Sequence, residues 1–354
     1  MKNAKSPSPL PSWVNRSGIP GVLSVAYSFF VNQRNRSFTD NPSLIYRAER
    51  KVISIGGIRA GGTGKTPLSL HIAEYLQSKA LPVALLSRGY GRKNRQDRIF
   101  KPGETARWED AGDEPSMFHS QIPQSWVGIS PQRSRCARVL SQITPPETVF
   151  VLDDGFQHRK LFRDLDLVCV DNSVLDDRVI PRGYLREPRH SLQRADAIII
   201  IEEYESITES QRVKKELGKM FPDIPCFVLF QEADCWVNFS TGQSASELPF
   251  SFPLAFCGIA RPERFFNLLK KLGIKTSKEL TFSDHHVYNE ADFGSIHELY
   301  SQGMVTTEKD AYRLFNSGVV IYPDFWYLKI RLKFSDSDSQ CAFNRLIDSV
   351  ISNN

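Results

Sequence analysis

Short apolar runs alternate with amphipathic stretches along most of this chain. The runs are continuous and rich in Val, Ile and Leu, which is typical of strands buried on both faces of a sheet. They occupy residues 52–55, 83–87, 126–129, 149–152, 165–171, 198–201 and 224–230. Between two of these runs, Leu68, Ile72 and Leu76 have the spacing of one helix face. The pattern predicts an α/β fold with a doubly wound, mostly parallel sheet, whose ligand binds at the carboxyl ends of the strands.

A polar connection at residues 231–249 interrupts this pattern, and a shorter α/β pattern follows it. Its elements are predicted at 254–259, 262–272, 325–332 and 339–351. A chain of 354 residues is long enough for two domains. We therefore expect an N-terminal segment at 1–40, a larger domain at 41–235 and a smaller C-terminal α/β domain at 236–354.

The N-terminal segment contains an apolar stretch from Ile19 to Val31, followed by Arg34 and Arg36. The stretch is shorter than the ~20 residues that a spanning helix needs. Aromatic and aliphatic residues beside arginines are typical of a helix that lies in a membrane interface. A first helix packed on the surface of the domain fits the same pattern, and both interpretations stay open on these residues alone.

The first chemical signal is a glycine-rich loop between the strand at 52–55 and the predicted helix. Its residues are Gly61, Gly62, Thr63, Gly64, Lys65 and Thr66. Backbone amides of such a loop, with the positive end of the following helix, bind phosphate oxygens. Lys65 would reach the β- and γ-phosphates of a nucleotide, and the Thr66 hydroxyl would ligate Mg²⁺. The sequence therefore predicts a P-loop NTPase-like fold.

The loop departs from two known patterns. Arg59 stands where the strict phosphate-loop motif has its first glycine. Ala60 stands where the deviant-Walker ATPases have a lysine before the double glycine. A glycine-rich turn that binds nothing is the alternative, but the order of strand, Gly-Lys-Thr and amphipathic helix disfavours it.

The second signal is the apolar strand at 149–152, which ends in Asp153 and Asp154. A carboxylate in this position lies beside the Mg²⁺ of a phosphate loop. A strand ending in two aspartates is common by itself, so the prediction depends on the phosphate loop that precedes it.

Three further stretches have both a chemical and a structural interpretation. Arg88 and Arg92 flank glycines at the end of a predicted strand. They could form a binding site for an anion, or they could belong to an exposed basic turn. The carboxylates Asp110, Asp113 and Glu114 cluster before a predicted helix, where one of them could be a general base or they could be capping residues. The stretch Asp284-His285-His286 could contain a catalytic or pH-sensitive Asp–His pair, although a structural histidine is more common.

Composition narrows the class of ligand. Apolar residues are 41% and charged residues 24% of the chain, as in ordinary soluble proteins. The net charge of +5 suits a phosphate-rich ligand or an anionic membrane surface, and it is too small to indicate nucleic acid. None of the six cysteines forms a CxxC pair, which favours reduced thiols in a cytosolic protein.

Together these residues resemble one family, tetraacyldisaccharide 4′-kinase, the lipid A 4′-kinase of Gram-negative bacteria. The matching stretches occur in the family's order and lie at Gly61–Pro67, Ser87–Arg92, Gly112–Pro115, Leu152–His158, Leu185–Pro188, Cys257–Pro262, Phe282–Tyr288 and Thr306–Ala311. The off-pattern phosphate loop is normal for this family.

The resemblance implies transfer of the ATP γ-phosphate to the 4′-hydroxyl of a tetraacylated, 1-phosphorylated glucosamine disaccharide, which gives lipid IVA. It implies ATP and Mg²⁺ as cofactors and a glycolipid substrate in the inner membrane. The enzyme would be peripheral, on the cytoplasmic face, with the N-terminal segment as a helix on the anionic membrane surface. The smaller domain would close the cleft. The resemblance implies no protein partner.

The resemblance also implies roles for individual residues. The loop residues 61–66 would bind the nucleotide, and Lys65 would act in catalysis. Asp113 would be the base, with His285 as its partner. Arg133 and Arg186 would stabilise the charge that moves during transfer. The metal ligands would be Thr66, Asp153, Asp154 and Glu187, and the substrate would contact Arg88, Tyr90, Arg92, Gln157 and His158.

Two other classes of protein share parts of this pattern. A membrane-associated regulatory ATPase of the deviant-Walker type lacks its signature lysine here, because Ala60 takes that place. A GTP-driven metallochaperone would need a guanine-reading motif, and the stretch around Lys309 and Asp310 lacks its asparagine and its spacer. Slow hydrolysis of nucleotide without an acceptor would indicate one of these classes.

Overall fold

The computed structural model describes residues 19–203, 206–299, 302–315 and 324–352. These residues divide into two compact units. The larger unit takes residues 19–231 and 332–352, and the smaller unit takes 232–331. Residues 1–18 of the predicted N-terminal segment at 1–40 lie outside the described residues.

The larger unit is built on a sheet flanked by helices. Its strands are β1 (Val52–Gly57), β2 (Val83–Ser87), β3 (Arg98–Phe100), β4 (Trp126–Ile129), β5 (Val149–Asp153), β6 (Leu165–Val170), β7 (Ala197–Glu203) and the first part of β8 (Cys226–Asn238). They are ordered β8–β7–β6–β1–β5–β2–β4–β3. Neighbouring strands from β8 to β4 are parallel, and β3 pairs antiparallel with β4. The predicted doubly wound, mostly parallel sheet is confirmed.

The central strands of this sheet are buried along their whole length, because helices cover the sheet. The helices are α1 (Ile19–Asp40), α2 (Lys65–Ser78), α3 (Trp108–Ala111), α4 (Asp113–Gln121), α5 (Arg133–Ile143), α6 (Ile207–Met220) and α10 (Ser337–Ile351). Val213 and Leu217 of α6 pack among the residues of β6, β7 and β8. Ala137 and Leu140 of α5 pack on β2 and β5.

The smaller unit has a hydrophobic core of its own. Its strands are the rest of β8, β9 (Ser244–Ala245), β10 (Leu254–Cys257), β11 (Lys278–Thr281), β12 (Met304–Thr307) and most of β13 (Phe325–Phe334), with helices α7 (Pro262–Lys271), α8 (Glu290–Glu298) and α9 (Glu308–Phe315). Strands β11, β10, β12 and β13 are parallel neighbours in that order. Phe256 and Phe325 stack at the centre of one core cluster.

The end of the chain belongs to the larger unit, and the sequence placed it in the smaller one. Helix α10 has fully buried Phe343 on its inner face. That ring makes an edge contact with Phe227 of β8 at 5.4 Å and lies 5.2 Å from Phe334. The Tyr75 hydroxyl of α2 donates to Asp348 at 2.9 Å. These partners decide which unit the helix joins, and no local pattern within 339–351 reports them.

Helix α1 extends beyond the predicted apolar stretch, because its buried face continues through polar sequence. Ser24, Val31, Asn35 and Phe38 recur at helical spacing and are buried. Among the described residues, no helix is long and apolar enough to span a bilayer.

We expect Phe343→Ala to lower the free energy of unfolding of the larger unit by about 4 kcal/mol, because it removes a buried ring and leaves a cavity. Chemical denaturation of the full chain measures this. Cys341→Ala, at an exposed position on the same helix, is the matched control and should unfold as the wild type does. Equal midpoints for the two variants would contradict the placement of α10.

Candidate active site

The phosphate loop runs from the end of β1 to the start of α2. Gly64 caps the helix in the left-handed region, with φ +77°, and a Cβ there would lie 2.6 Å from Ile201 Cγ2. Glycine is therefore required at this position. Helix α2 begins at Lys65, so its free amides and its positive end face the loop.

Arg59 anchors the loop from outside. Its guanidinium donates to Asp177 Oδ2 at 2.8 Å and to Asp171 Oδ2 at 3.2 Å, and it lies over the Tyr184 ring. The next residue donates its amide to the Tyr184 carbonyl. The residue that breaks the strict motif thus ties the loop to residues 171–185.

Lys65 and Arg186 converge on Asp154 at the end of β5. Arg186 makes two hydrogen bonds to that carboxylate, at 2.7 and 2.8 Å, and Lys65 Nζ lies 3.7 Å from Oδ1. Burial acts to raise the pKa of Asp154, but the bonds from Arg186 and the charge of Lys65 outweigh it and hold that pKa well below its usual range. Two cations thus meet one ionised carboxylate beside the phosphate loop.

Asp153 faces a different set of groups. It is buried, accepts a hydrogen bond from Ser87 Oγ at 3.0 Å, and its Oδ1 has no hydrogen-bond partner in the described part of the chain. Glu114 lies near it and accepts from Thr66 Oγ1 at 2.9 Å. Burial and the charges of Glu114 and Asp154 raise the pKa of Asp153. A bound cation would relieve this repulsion.

These oxygens fit Mg²⁺. Thr66, Asp153 and Glu114 offer the hard oxygen ligands that Mg²⁺ prefers. Among the described residues, Asp153 Oδ1 has no hydrogen-bond partner. Within the described residues, no group of three or more His, Cys, Asp or Glu side chains is placed to hold a metal. Mg²⁺ sites in nucleotide-binding proteins commonly use one or two carboxylates together with nucleotide phosphates and water.

Glu187 accepts hydrogen bonds from several parts of the larger unit. The carboxylate is buried and accepts hydrogen bonds from Asn35 and Arg194 at 2.7 Å each and from Gln157 at 3.1 Å. Donors contact both of its oxygens, and the metal-ligand role expected from the sequence stays a prediction. The same bonds attach α1, through Asn35, to the residues around the site.

Asp113 and the basic loop at 88–92 are neighbours. Gly112, at φ +88°, precedes α4, and a Cβ there would lie 2.4 Å from the Tyr90 carbonyl oxygen. Asp113 is the first residue of α4. Arg88 and Tyr90 are exposed, whereas Arg92 donates to the carbonyls of Arg95 and Gln96 and holds its own loop.

Arg133, Gln157 and His158 line the other side of the aspartate pair. Arg133 begins α5 and donates to the Asp154 carbonyl at 3.4 Å. Gln157 donates to the Gly57 carbonyl at 3.1 Å. Burial and the charge of Arg133 lower the pKa of His158 to about 3, so this imidazole is neutral at physiological pH.

His285 lies in the smaller unit, at φ +57°. Its Nδ1 lies 3.3 Å from Arg313 Nη2. Its Nε2 is 3.9 Å from Asp284 Oδ2, beyond hydrogen-bond reach. The aspartate that precedes it in sequence therefore does not orient its ring.

The structure brings Lys65, Thr66, Arg133 and Arg186 together with the aspartate pair in the larger unit. Sequence reasoning missed Glu114, because its neighbour Asp113 took the chemical interpretation. The signal was its place in Gly-Asp-Glu-Pro at the start of a helix. It also missed Asn35 and Arg194, whose role is visible only once the fold joins them to Glu187.

The fold and this arrangement define a P-loop nucleotide-binding enzyme. The sequence model of the family described as "Tetraacyldisaccharide-1-P 4'-kinase" matches residues 21–351. The chain belongs to this family.

Curated relatives and a solved structure agree. The tetraacyldisaccharide 4'-kinase of Aquifex aeolicus (strain VF5) is 34% identical over 301 residues, which cover 82% of this chain and 88% of the relative. The tetraacyldisaccharide 4'-kinase of Koribacter versatilis (strain Ellin345) is 33% identical, over 90% of this chain and 95% of the relative. A crystal structure of LpxK from Aquifex aeolicus in complex with ATP superposes with a TM-score of 0.75 at 31% identity, over 93% of this chain and 97% of that one.

We expect Arg59→Gln to lower the free energy of unfolding by about 3 kcal/mol, because it leaves the buried carboxylates of Asp171 and Asp177 without their cation. Arg212→Gln breaks an exposed Arg–Glu pair on α6 and should leave stability near that of the wild type. Urea denaturation of both variants measures the difference. If Arg59→Gln is as stable as Arg212→Gln, Arg59 does not anchor the loop.

Proposed function

We propose that this chain transfers the γ-phosphate of ATP to the 4′-hydroxyl of tetraacyldisaccharide 1-phosphate, the step that forms lipid IVA in lipid A synthesis. The family assignment supports the reaction class and the glycolipid acceptor. One observation carries the chemistry. Beside the phosphate loop, Lys65 and Arg186 contact Asp154, the neighbouring Asp153 is buried, and Thr66 donates to Glu114.

The loop and its cations would bind the triphosphate. Amides at the start of α2 and the Lys65 ammonium would bind the β- and γ-phosphates. Thr66, Asp153 and Glu114 would hold Mg²⁺, which neutralises phosphate charge when bound. Arg186 and Arg133 lie on the Asp154 side, where they would stabilise the charge of the transferring group.

Asp113 is the proposed base for the 4′-hydroxyl. It begins α4 directly before Glu114, which bonds the phosphate-loop threonine. A carboxylate at this end of α4 would accept the proton of the acceptor hydroxyl. His285 is proposed to assist the base, and the exposed Arg88 and Tyr90 to contact the sugar or its 1-phosphate. Arg92, Gln157 and His158 would shape that surface.

The outer face of α1 is proposed to lie on the cytoplasmic surface of the inner membrane. Val22 and Val25 are each 71% exposed, and Phe29 and Phe30 are 63% and 66% exposed. They form an apolar stripe on the side opposite the buried residues, next to exposed Arg36. A helix with such a stripe and nearby basic charge binds an anionic interface. The acyl chains of the acceptor could then stay in the bilayer.

The function is tested by transfer of labelled γ-phosphate from Mg-ATP to the tetraacyldisaccharide 1-phosphate in detergent micelles. Wild type should give a labelled bisphosphorylated lipid, and Lys65→Ala should give none. Asp113→Asn should lose at least about a hundredfold in turnover, as expected for a general base, while ATP affinity is kept. Loss of ATP binding in Asp113→Asn would make Asp113 a structural residue. Hydrolysis of ATP without labelled lipid would contradict the proposed function.

The double variant Val25→Asp/Phe29→Asp should bind anionic vesicles at least about tenfold more weakly, because it removes apolar contact and adds repulsive charge. Val139→Asp/Ile143→Asp on α5, at positions 45% and 47% exposed, is the matched control. Vesicle sedimentation with phosphatidylglycerol measures both. Equal binding by the two double variants would place the membrane contact elsewhere.

A further inference from the structure

A buried carboxylate organises one end of the smaller unit. Asp310, in the first turn of α9, is fully buried. Its Oδ1 accepts from Tyr288 Oη and Arg313 Nη1, each at 2.9 Å. Its Oδ2 accepts from Thr307 Oγ1 at 2.6 Å and from the Gly258 amide at 3.1 Å. Four donors from separate places in the chain fix this carboxylate.

Asp310 and Gly258 in turn fix the guanidinium of Arg313. Nη1 bonds both the Asp310 carboxylate and, at 2.6 Å, the Gly258 carbonyl. The side chain is only 5% exposed. Because the guanidinium is planar, these bonds also set the direction of Nη2, which lies 3.3 Å from Nδ1 of His285.

Gly258 also packs closely against the backbone around His285. A Cβ on Gly258 would lie 3.1 Å from the Ser283 carbonyl oxygen and 3.2 Å from His286 Cβ. The segment that carries His285 therefore packs directly on the residue that binds Arg313. Three stretches singled out in the sequence, at 257–262, 282–288 and 306–311, meet here.

We propose that Arg313 is a positioning residue for His285, holding its ring plane and keeping the hydrogen of the neutral imidazole on Nε2. A guanidinium has five N–H donors and no acceptor, so the imidazole nitrogen it faces must accept. With Nδ1 used in this way, the hydrogen of the neutral ring belongs to Nε2. His285 then presents a donor, and it is suited to hydrogen-bond a carboxylate.

This assignment separates two roles that a histidine near a phosphoryl acceptor can have. An imidazole whose Nδ1 is bonded to arginine, and whose Nε2 carries the hydrogen, has no free lone pair for the proton of a hydroxyl. His285 would orient or tune a base rather than act as one. This consequence rests on the proposed function, whereas the tautomer does not.

The tautomer is measured directly by ¹⁵N NMR of the full chain labelled in histidine, at about pH 8.5, above the ordinary imidazole range. His285→Gln identifies the signal among the seven histidines. We expect an unprotonated-type shift at Nδ1 and a protonated-type shift at Nε2. A hydrogen on Nδ1, or an even mixture, in the wild-type protein overturns the proposal without any variant at Arg313.

Arg313→Met removes the donor, and it should move His285 toward a mixture of tautomers. His286, whose Nε2 bonds Asp292 Oδ2 at 2.9 Å, is an internal reference that should not change. Arg331→Met, which breaks an exposed pair with Asp234, is the matched control. An unchanged His285 signal in folded Arg313→Met overturns the proposal.

In the transfer assay, Arg313→Met should lower kcat about tenfold or more with the KM for ATP unchanged, because a misoriented group costs turnover rather than nucleotide binding. Arg313→Lys, which keeps a donor, should recover part of both the kcat and the tautomer preference. If wild type forms no labelled lipid but His285 shows the expected tautomer, the proposed function fails and the positioning role stands. A normal kcat in Arg313→Met with a changed tautomer overturns the link to turnover.

Discussion

Two adjacent aspartates at the end of β5 are held in opposite electrostatic environments, and the proposed site depends on that contrast. Asp154 leaves the strand in the left-handed region, with φ +46°, and so meets Arg186 and Lys65. Asp153 stays in the strand and faces Ser87, Glu114 and buried surroundings. The first carboxylate is stabilised as an anion, and the second is short of positive charge. Neighbouring carboxylates whose pKa values are driven apart in this way can serve different functions within one site.

The phosphate loop shows that a motif stands for physical requirements rather than letters. Gly64 is needed because its backbone is left-handed and because Ile201 lies where a side chain would go. No such requirement applies at position 59, where an arginine points away to two carboxylates and ties the loop down. The loop therefore departs from the strict pattern at position 59, where a side chain can be accommodated. It keeps glycine at position 64, where a side chain cannot be accommodated.

The sequence predicts what depends on local pattern. Strand β2 was predicted with its observed bounds, since a continuous apolar run has few other interpretations, and Lys65 and Thr66 follow from spacing alone. It fails where a residue's role is set by distant partners. The hydrogen bond from Asn35 to Glu187 joins residues 152 positions apart, and no local pattern predicts it. The sequence pattern assigns helix α10 to the smaller domain, whereas in the structure Phe343 of this helix packs against Phe227 of the larger unit. Arg313 carries no motif, and its role appears only when the chain brings Asp310, Gly258 and His285 together.

Helix α1 joins the two properties that a kinase of a membrane lipid needs. Its outer stripe is apolar, and its inner face is attached by directed polar bonds. Tyr27 donates to the Arg186 carbonyl at 3.2 Å, and Arg34 donates to the Gln157 carbonyl at 2.6 Å. Apolar packing alone would let a helix rotate or slide, whereas hydrogen bonds of defined geometry fix its rotation. The direction of the outer stripe is thereby fixed relative to Arg186 and Gln157. If that stripe lies on the membrane, α1 sets the height of the phosphate loop above the bilayer. The 4′-hydroxyl of the acceptor must then come to that height to meet the γ-phosphate.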